Sequence, residues 1–134
     1  MVEDTVIKEP LTADMVAAGE ELTCKLEEMG VALTAAIWFY DSEVNEWFLK
    51  YLSPETELHG SRELYGKIRE ARQQIPHNFA IPLTGVRMLR PNDNLVRALR
   101  EGMKQAGLKN IPYRFKKSAY SGHYMDDVLV YRVA

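Results

Sequence analysis

Between Val31 and Leu52 the chain runs through ten nearly unbroken apolar residues, a short polar break and a seven-residue apolar/polar alternation. This is the pattern of two paired β-strands. In the first, Leu33, Ala35, Ile37 and Phe39 alternate with Ala32, Thr34, Ala36, Trp38 and Tyr40. Both faces are largely apolar, as in a strand lying inside a sheet. Asp41-Ser42-Glu43-Val44-Asn45 has the polar composition of a hairpin turn. The second strand sends Trp47, Leu49 and Tyr51 one way and Glu46, Phe48, Lys50 and Leu52 the other, which predicts one buried and one partly wet side.

Helical spacing flanks this pair. Thr12 is placed to cap a first helix whose apolar positions Met15, Ala18, Gly19, Leu22, Leu26 and Met29 share a face, and Gly30 ends it. Gly19 on the apolar side would let the helix approach the sheet closely. Ser53-Pro54 closes the second strand and opens a loop to Gly60. Ser61 then caps a second helix with a stripe of Leu64, Ile68, Ala71 and Ile75, supported by Glu63 four residues before Lys67 and ended by Pro76. An irregular stretch from Pro76 to Thr84 leads to a short strand through Val86, Met88 and Leu89. Pro91-Asn92 introduces a third helix with Leu95, Val96, Leu99, Met103 and Ala106 inward and Gly107 as its stop. Ile111 to Lys117 reads as an edge strand, Asp126-Asp127 as a turn, and Val128 to Val133 as a closing strand.

The order α-β-β-α-β-α-β-β predicts an α+β fold: a single domain with a mainly antiparallel sheet of four to five strands and three helices. The domain is expected over residues 11–134, behind a flexible acidic N-terminal segment of residues 1–10. Composition agrees, since 46% hydrophobic and 27% charged residues in 134 are ordinary globular proportions. The single cysteine, Cys24, cannot form an internal disulfide, which fits a reducing compartment. The longest apolar run, Val31 to Tyr40, is too short to cross a membrane as a helix, and the acidic N-terminus does not read as a secretory signal. The expected location is cytoplasmic, with no membrane partner.

Charge is distributed unevenly along the chain. Residues 1–30 hold eight acids against Lys8 and Lys25, whereas residues 87–117 hold nine bases against Asp93 and Glu101, although the net charge is only −2. This separation is the strongest functional pointer in the sequence. Arg97, Arg100 and Lys104 recur along one side of the third helix, while Arg114, Lys116 and Lys117 flank Tyr113, Phe115 and Tyr120. Cations interleaved with aromatic rings suit an anionic partner: charges follow phosphates, and Tyr113 and Tyr120 would stack on bases. The acidic first helix and the basic third helix would equally serve contact between copies, or neutralise each other within one molecule.

Signals for catalysis are thin. Tyr124-Met125-Asp126-Asp127 resembles, over four residues, the metal-holding hairpin of reverse-transcriptase palms, with Asp41 in the place of a second carboxylate. The chain has no room for the other polymerase subdomains. Glu46 and Lys50 miss the spacing of a nuclease triplet, no glycine-rich phosphate loop is present, and His59, His77 and His123 lack zinc-ligand spacing. His123, between the basic stretch and the acidic pair, is the one candidate acid/base group.

The expected function is therefore that of a small intracellular non-enzymatic binding protein, which uses distinct acidic and basic faces for a protein partner or for self-association. No catalytic residue, metal ligand or cofactor is assigned. The alternatives are RNA or single-stranded DNA binding through the 87–117 region, and a small metal-dependent enzyme around His123, Asp126 and Asp127.

Overall fold

A computed structural model describes residues 7–82, 84–107 and 112–134. The elements follow in the order α1 (Ala13–Glu28), β1 (Ala35–Asp41), β2 (Glu46–Leu52), α2 (Pro54–His59), α3 (Ser61–Arg72), β3 (Val86–Met88), α4 (Asn94–Ala106), β4 (Tyr113–Tyr120) and β5 (His123–Val133). The strands form one sheet in the order β3-β2-β1-β5-β4. Three pairings are antiparallel, but β3 runs parallel to β2, so the sheet is mixed.

The alternation in β1 and β2 sorts side chains onto two faces as the sequence predicts. Ala36, Trp38, Tyr40, Trp47, Leu49 and Tyr51 pack with Leu22 and Leu26 of α1 and with Leu64 and Ile68 of α3. Ala35, Ile37 and Leu52 pack on the other face with Leu95, Leu99 and Met103 of α4. Two helices thus cover one side and a single helix part of the other. This is an α+β arrangement with the sheet as its middle layer. Among the described residues no helix is long and apolar enough to cross a membrane.

Close approach sets the position of α1. The Trp38 indole N–H donates to Met15 O at 3.0 Å and the Tyr131 hydroxyl donates to Val16 O at 2.6 Å, so both rings lie directly under the helix. A Cβ at Gly19 would come within 2.5 Å of Trp38 Nε1 and of the Tyr131 oxygen. That position accepts only glycine without rearrangement. Thr12 caps the helix by accepting from the Met15 N–H at 3.1 Å, and Gly30, at φ 87°, follows its end. Buried below, Thr23 donates to Gly19 O at 2.7 Å and shares a 3.0 Å hydrogen bond with the Tyr51 hydroxyl.

Several local expectations are corrected. The predicted loop after Ser53 contains the six-residue helix α2, capped by the Ser53 hydroxyl accepting from the Glu55 N–H at 3.2 Å, with Pro54 at its first position. Proline fits there because that N–H has no helical partner to lose. Gly60, rather than Ser61, is the N-cap of α3, and Lys67 pairs with Glu55 of α2 at 3.7 Å. Asp126 and Asp127 are not a turn: they lie inside β5, and the β4–β5 reversal falls at Ser121 and Gly122, both at positive φ. Ile111, the predicted start of the edge strand, lies outside the described residues. Residues 1–6 of the predicted flexible segment lie outside them too, whereas Ile7 to Glu9 are hydrogen-bonded against the sheet.

Candidate binding surface

The apolar stripe of α4 buries Leu95, Val96, Ala98, Leu99, Gly102 and Met103. Helical geometry then leaves Arg97, Arg100 and Lys104 on the outer side, all exposed, with Glu101 half-buried among them. The helix is seated by a second close-packed glycine, since a Cβ at Gly102 would meet the Phe115 ring at 2.8 Å. Asp93 starts it by accepting from the Leu95 N–H at 2.9 Å, and Gly107, at φ 75°, ends it.

A cleft of about 280 Å³ runs beside this outer side, bordered by Asn92, Asp93, Arg97, Arg100, Glu101 and Lys104 and closed by Ser121 of the β4–β5 turn. Arg100 Nε donates to Ala134 O at 2.7 Å, which fixes its stem while its charge stays exposed. Among the described residues neither Arg97 nor Lys104 enters an ion pair. Three cations against two acids make this cleft suited to a negatively charged group.

The other predicted site residues do not join it. Tyr113 and Tyr120 pack half-buried against the α4 core, with Phe115 at 4.7 Å from Tyr113 and 5.7 Å from Tyr120 between ring centroids. They are ring neighbours of each other's support rather than a free stacking platform. Arg114 pairs with Leu129 in register and points to the opposite face of the sheet, where alternation also directs Lys116. Lys117 is exposed at φ 47°, a backbone irregularity that interrupts the alternation so that Phe115 and Tyr120 can share one side.

Arg114 is committed to an acid of the same chain. Its Nε and Nη2 donate to the two carboxylate oxygens of Asp127 at 2.8 and 2.7 Å, and Lys8 Nζ donates to Asp127 Oδ2 at 2.7 Å. Burial of Asp127 opposes its ionisation, yet the hydrogen bonds from Arg114 and Lys8 outweigh that and hold its carboxyl below the usual range. Sequence reasoning missed this cluster. The available signal was an aspartate on the inward side of a strand whose other inward positions, Leu129 and Tyr131, are core.

Next to α4 the second sheet face is partly uncovered. Phe39 and Phe48 face each other in register, Lys50 lies 4.0 Å from the Phe39 centroid and Arg87 lies 4.8 Å from that of Phe48. Burial depresses the Lys50 pKa, with Asp93 and Asp41 acting against the shift. Beyond Phe39 a shallow cavity of about 560 Å³ is bordered by Asp41, Glu43, His123, Tyr124 and Asp126. His123 and Asp126 therefore share a cavity with Asp41, but Asp127 is on the far face. The trio His123, Asp126 and Asp127 does not converge, and among the described residues no three His, Cys, Asp or Glu are placed to hold a metal ion.

The acidic helix sits across the sheet from the basic one. In α1, Asp14, Glu20, Glu27 and Glu28 are exposed, while Glu21 contacts the His77 ring at 2.6 Å. Glu27 pairs with Arg132 at 3.1 Å and Glu28 with Lys25 at 3.8 Å. Because the sheet lies between them, α1 and α4 do not neutralise each other within one molecule, although Arg114, Arg132 and the exposed Arg62 and Arg69 of α3 also place cations on the α1 side. No family model matches this chain, and neither does any curated protein or solved structure.

Proposed function

We propose that this chain is a non-enzymatic binding protein whose α4 side docks an acidic protein surface, the α1 side of a second copy being such a surface. One observation carries the reading: the Arg97, Arg100 and Lys104 charges are exposed around one cleft, while the exposed acids of α1 lie beyond the sheet. Opposite charges on the outer surfaces of α4 and α1 favour a head-to-tail contact between copies, and they act mainly on partner choice and association rate. Against base stacking stand the packing of Tyr113 and Tyr120 under α4 and the pairing of Arg114 with Asp127.

Sedimentation velocity over a range of protein concentrations tests it. At about 20 mM salt the average mass should rise with concentration, and at about 0.5 M salt, where exposed charges are screened within a few ångströms, it should return to that of one chain. The triple change R97E/R100E/K104E should abolish association. Mixing that variant with E20K/E27K/E28K should restore it. A wild-type chain of single-copy mass at low salt, or association untouched by both charge reversals, overturns self-docking. Salt-dependent binding of an oligothymidylate that is lost in the α4 triple variant would instead favour nucleic acid.

A further inference from the structure

On the side of the sheet away from α4, residues Ile7 to Pro10 are held by side chains of β2, β5 and the β1–β2 turn. Asn45 grips the backbone on both sides of Lys8: its Nδ2 donates to Ile7 O at 2.9 Å, and its Oδ1 accepts from the Glu9 N–H at 2.9 Å. The Tyr40 hydroxyl fixes that amide by donating to the same Oδ1 at 2.6 Å. Trp47 Nε1 donates to Glu9 O at 2.8 Å. Between these contacts the Lys8 ammonium sits 4.6 Å from the Tyr40 centroid and 5.7 Å from the Trp47 centroid, against Asp127.

We propose that Tyr40, Asn45, Trp47 and Asp127 form a binding site for a lysine-bearing peptide segment, which the chain's own Ile7–Pro10 occupies and which such a segment of a partner protein takes in its place. Three features support exchange. The Asn45 and Trp47 contacts go to peptide N–H and C=O groups, which any sequence supplies, so selection falls on the one ammonium that two electron-rich rings and a carboxylate receive. Departure of Lys8 leaves Asp127 with its bidentate Arg114 partner, so no buried charge is stranded. Lys8 itself is the more open member of the pair, its side chain 42% exposed against 1% for Asp127. Beside the strap a groove of about 560 Å³ continues from Pro10 past Met15, Val44 and Trp47, which gives room for a segment longer than the resident one. This site lies on the α1 side of the sheet, and its readout, the Trp47 resonance against that of Trp38, does not depend on association between copies.

The probe is the hexapeptide Ile-Lys-Glu-Pro-Leu-Thr, residues 7–12, added to the full chain while the two indole N–H resonances of Trp38 and Trp47 are followed. A tethered strap competes at an effective concentration on the order of millimolar, so wild type should resist the peptide. In K8A the resident strap loses its ammonium, and the Trp47 signal should shift saturably at peptide concentrations at least about tenfold lower than wild type requires, with Trp38 unmoved. The same peptide with its lysine replaced by alanine should produce no shift. If the amide spectrum shows K8A to be unfolded, Lys8→Met, which keeps an apolar stem on the rings, replaces it. No saturable shift in a folded variant, or an equal response to both peptides, overturns the proposal.

Discussion

Gly19→Ala separates close packing from helix propensity because the two have opposite signs. Alanine in a helix interior ordinarily gains about 1 kcal/mol over glycine. Here the added methyl would overlap Trp38 and Tyr131, rings that are 0% and 1% exposed and each hydrogen-bonded to α1. Overpacking of this kind costs about 1–3 kcal/mol. Pushing the helix outward also weakens two hydrogen bonds of about 1 kcal/mol each. The expected net loss is about 2–4 kcal/mol, which at an urea m-value of about 2 kcal/mol/M lowers the unfolding midpoint by about 1–2 M. Gly66→Ala in α3 is the matched control, since a Cβ there meets nothing within 4 Å. That variant should raise the midpoint by about 0.5 M. Equal or higher stability of G19A, measured beside G66A, would refute the packing account of α1.

Asp127→Asn should destabilise the fold by about 2–3 kcal/mol at neutral pH, below the figure for a fully buried pair because Arg114 and Lys8 can reach water. A carboxyl held low in the folded state binds fewer protons than in the unfolded chain, so its contribution is complete above about pH 4 and is lost as pH falls through the folded value. The gap between wild type and D127N in urea titrations should therefore close in acid, and a constant gap would contradict the pairing. Burial pushes the Tyr51 and Tyr131 hydroxyls up, against the Thr23 hydrogen bond in the first case. Both should ionise only as the chain unfolds, with stability falling above about pH 10; early tyrosinate absorbance from all seven tyrosines would exclude this. Asp93→Ala, removing the cap of α4, should cost about 1 kcal/mol in the same urea assay, and no loss would show the cap to be dispensable.

The faces of β1 and β2 were legible because alternation over seven residues has one consistent solution, and the role of Gly19 followed from its place on an apolar stripe. Helix α2 was not, since six residues span too few turns to display a period and its Ser53-Pro54 start looks the same as a loop opening. Nor does a three-residue strand reveal its direction, so the parallel pairing of β3 appears only in the structure. Asp126-Asp127 has the composition of a turn, but its second carboxylate is neutralised by Arg114 and by Lys8, 119 residues away, a pairing that no local window contains. The basic run failed as a single patch for a geometric reason. Consecutive strand residues point to opposite faces, so Arg114 and its neighbours could not all join the cations of α4.

The place of β5 in the sheet has a consequence for synthesis. The last of these five strands in chain order lies between β1 and β4, and Ala134 N–H reaches back to Thr34 O at 2.9 Å. During translation the most apolar strand, Ala35 to Tyr40, is complete long before its second neighbour emerges, leaving one row of its peptide groups without a mate. Closure of this sheet thus waits until residue 133 has been made, and the interval between the emergence of β1 and that of β5 is when the unpaired edge is most exposed to aggregation and has most to gain from a chaperone.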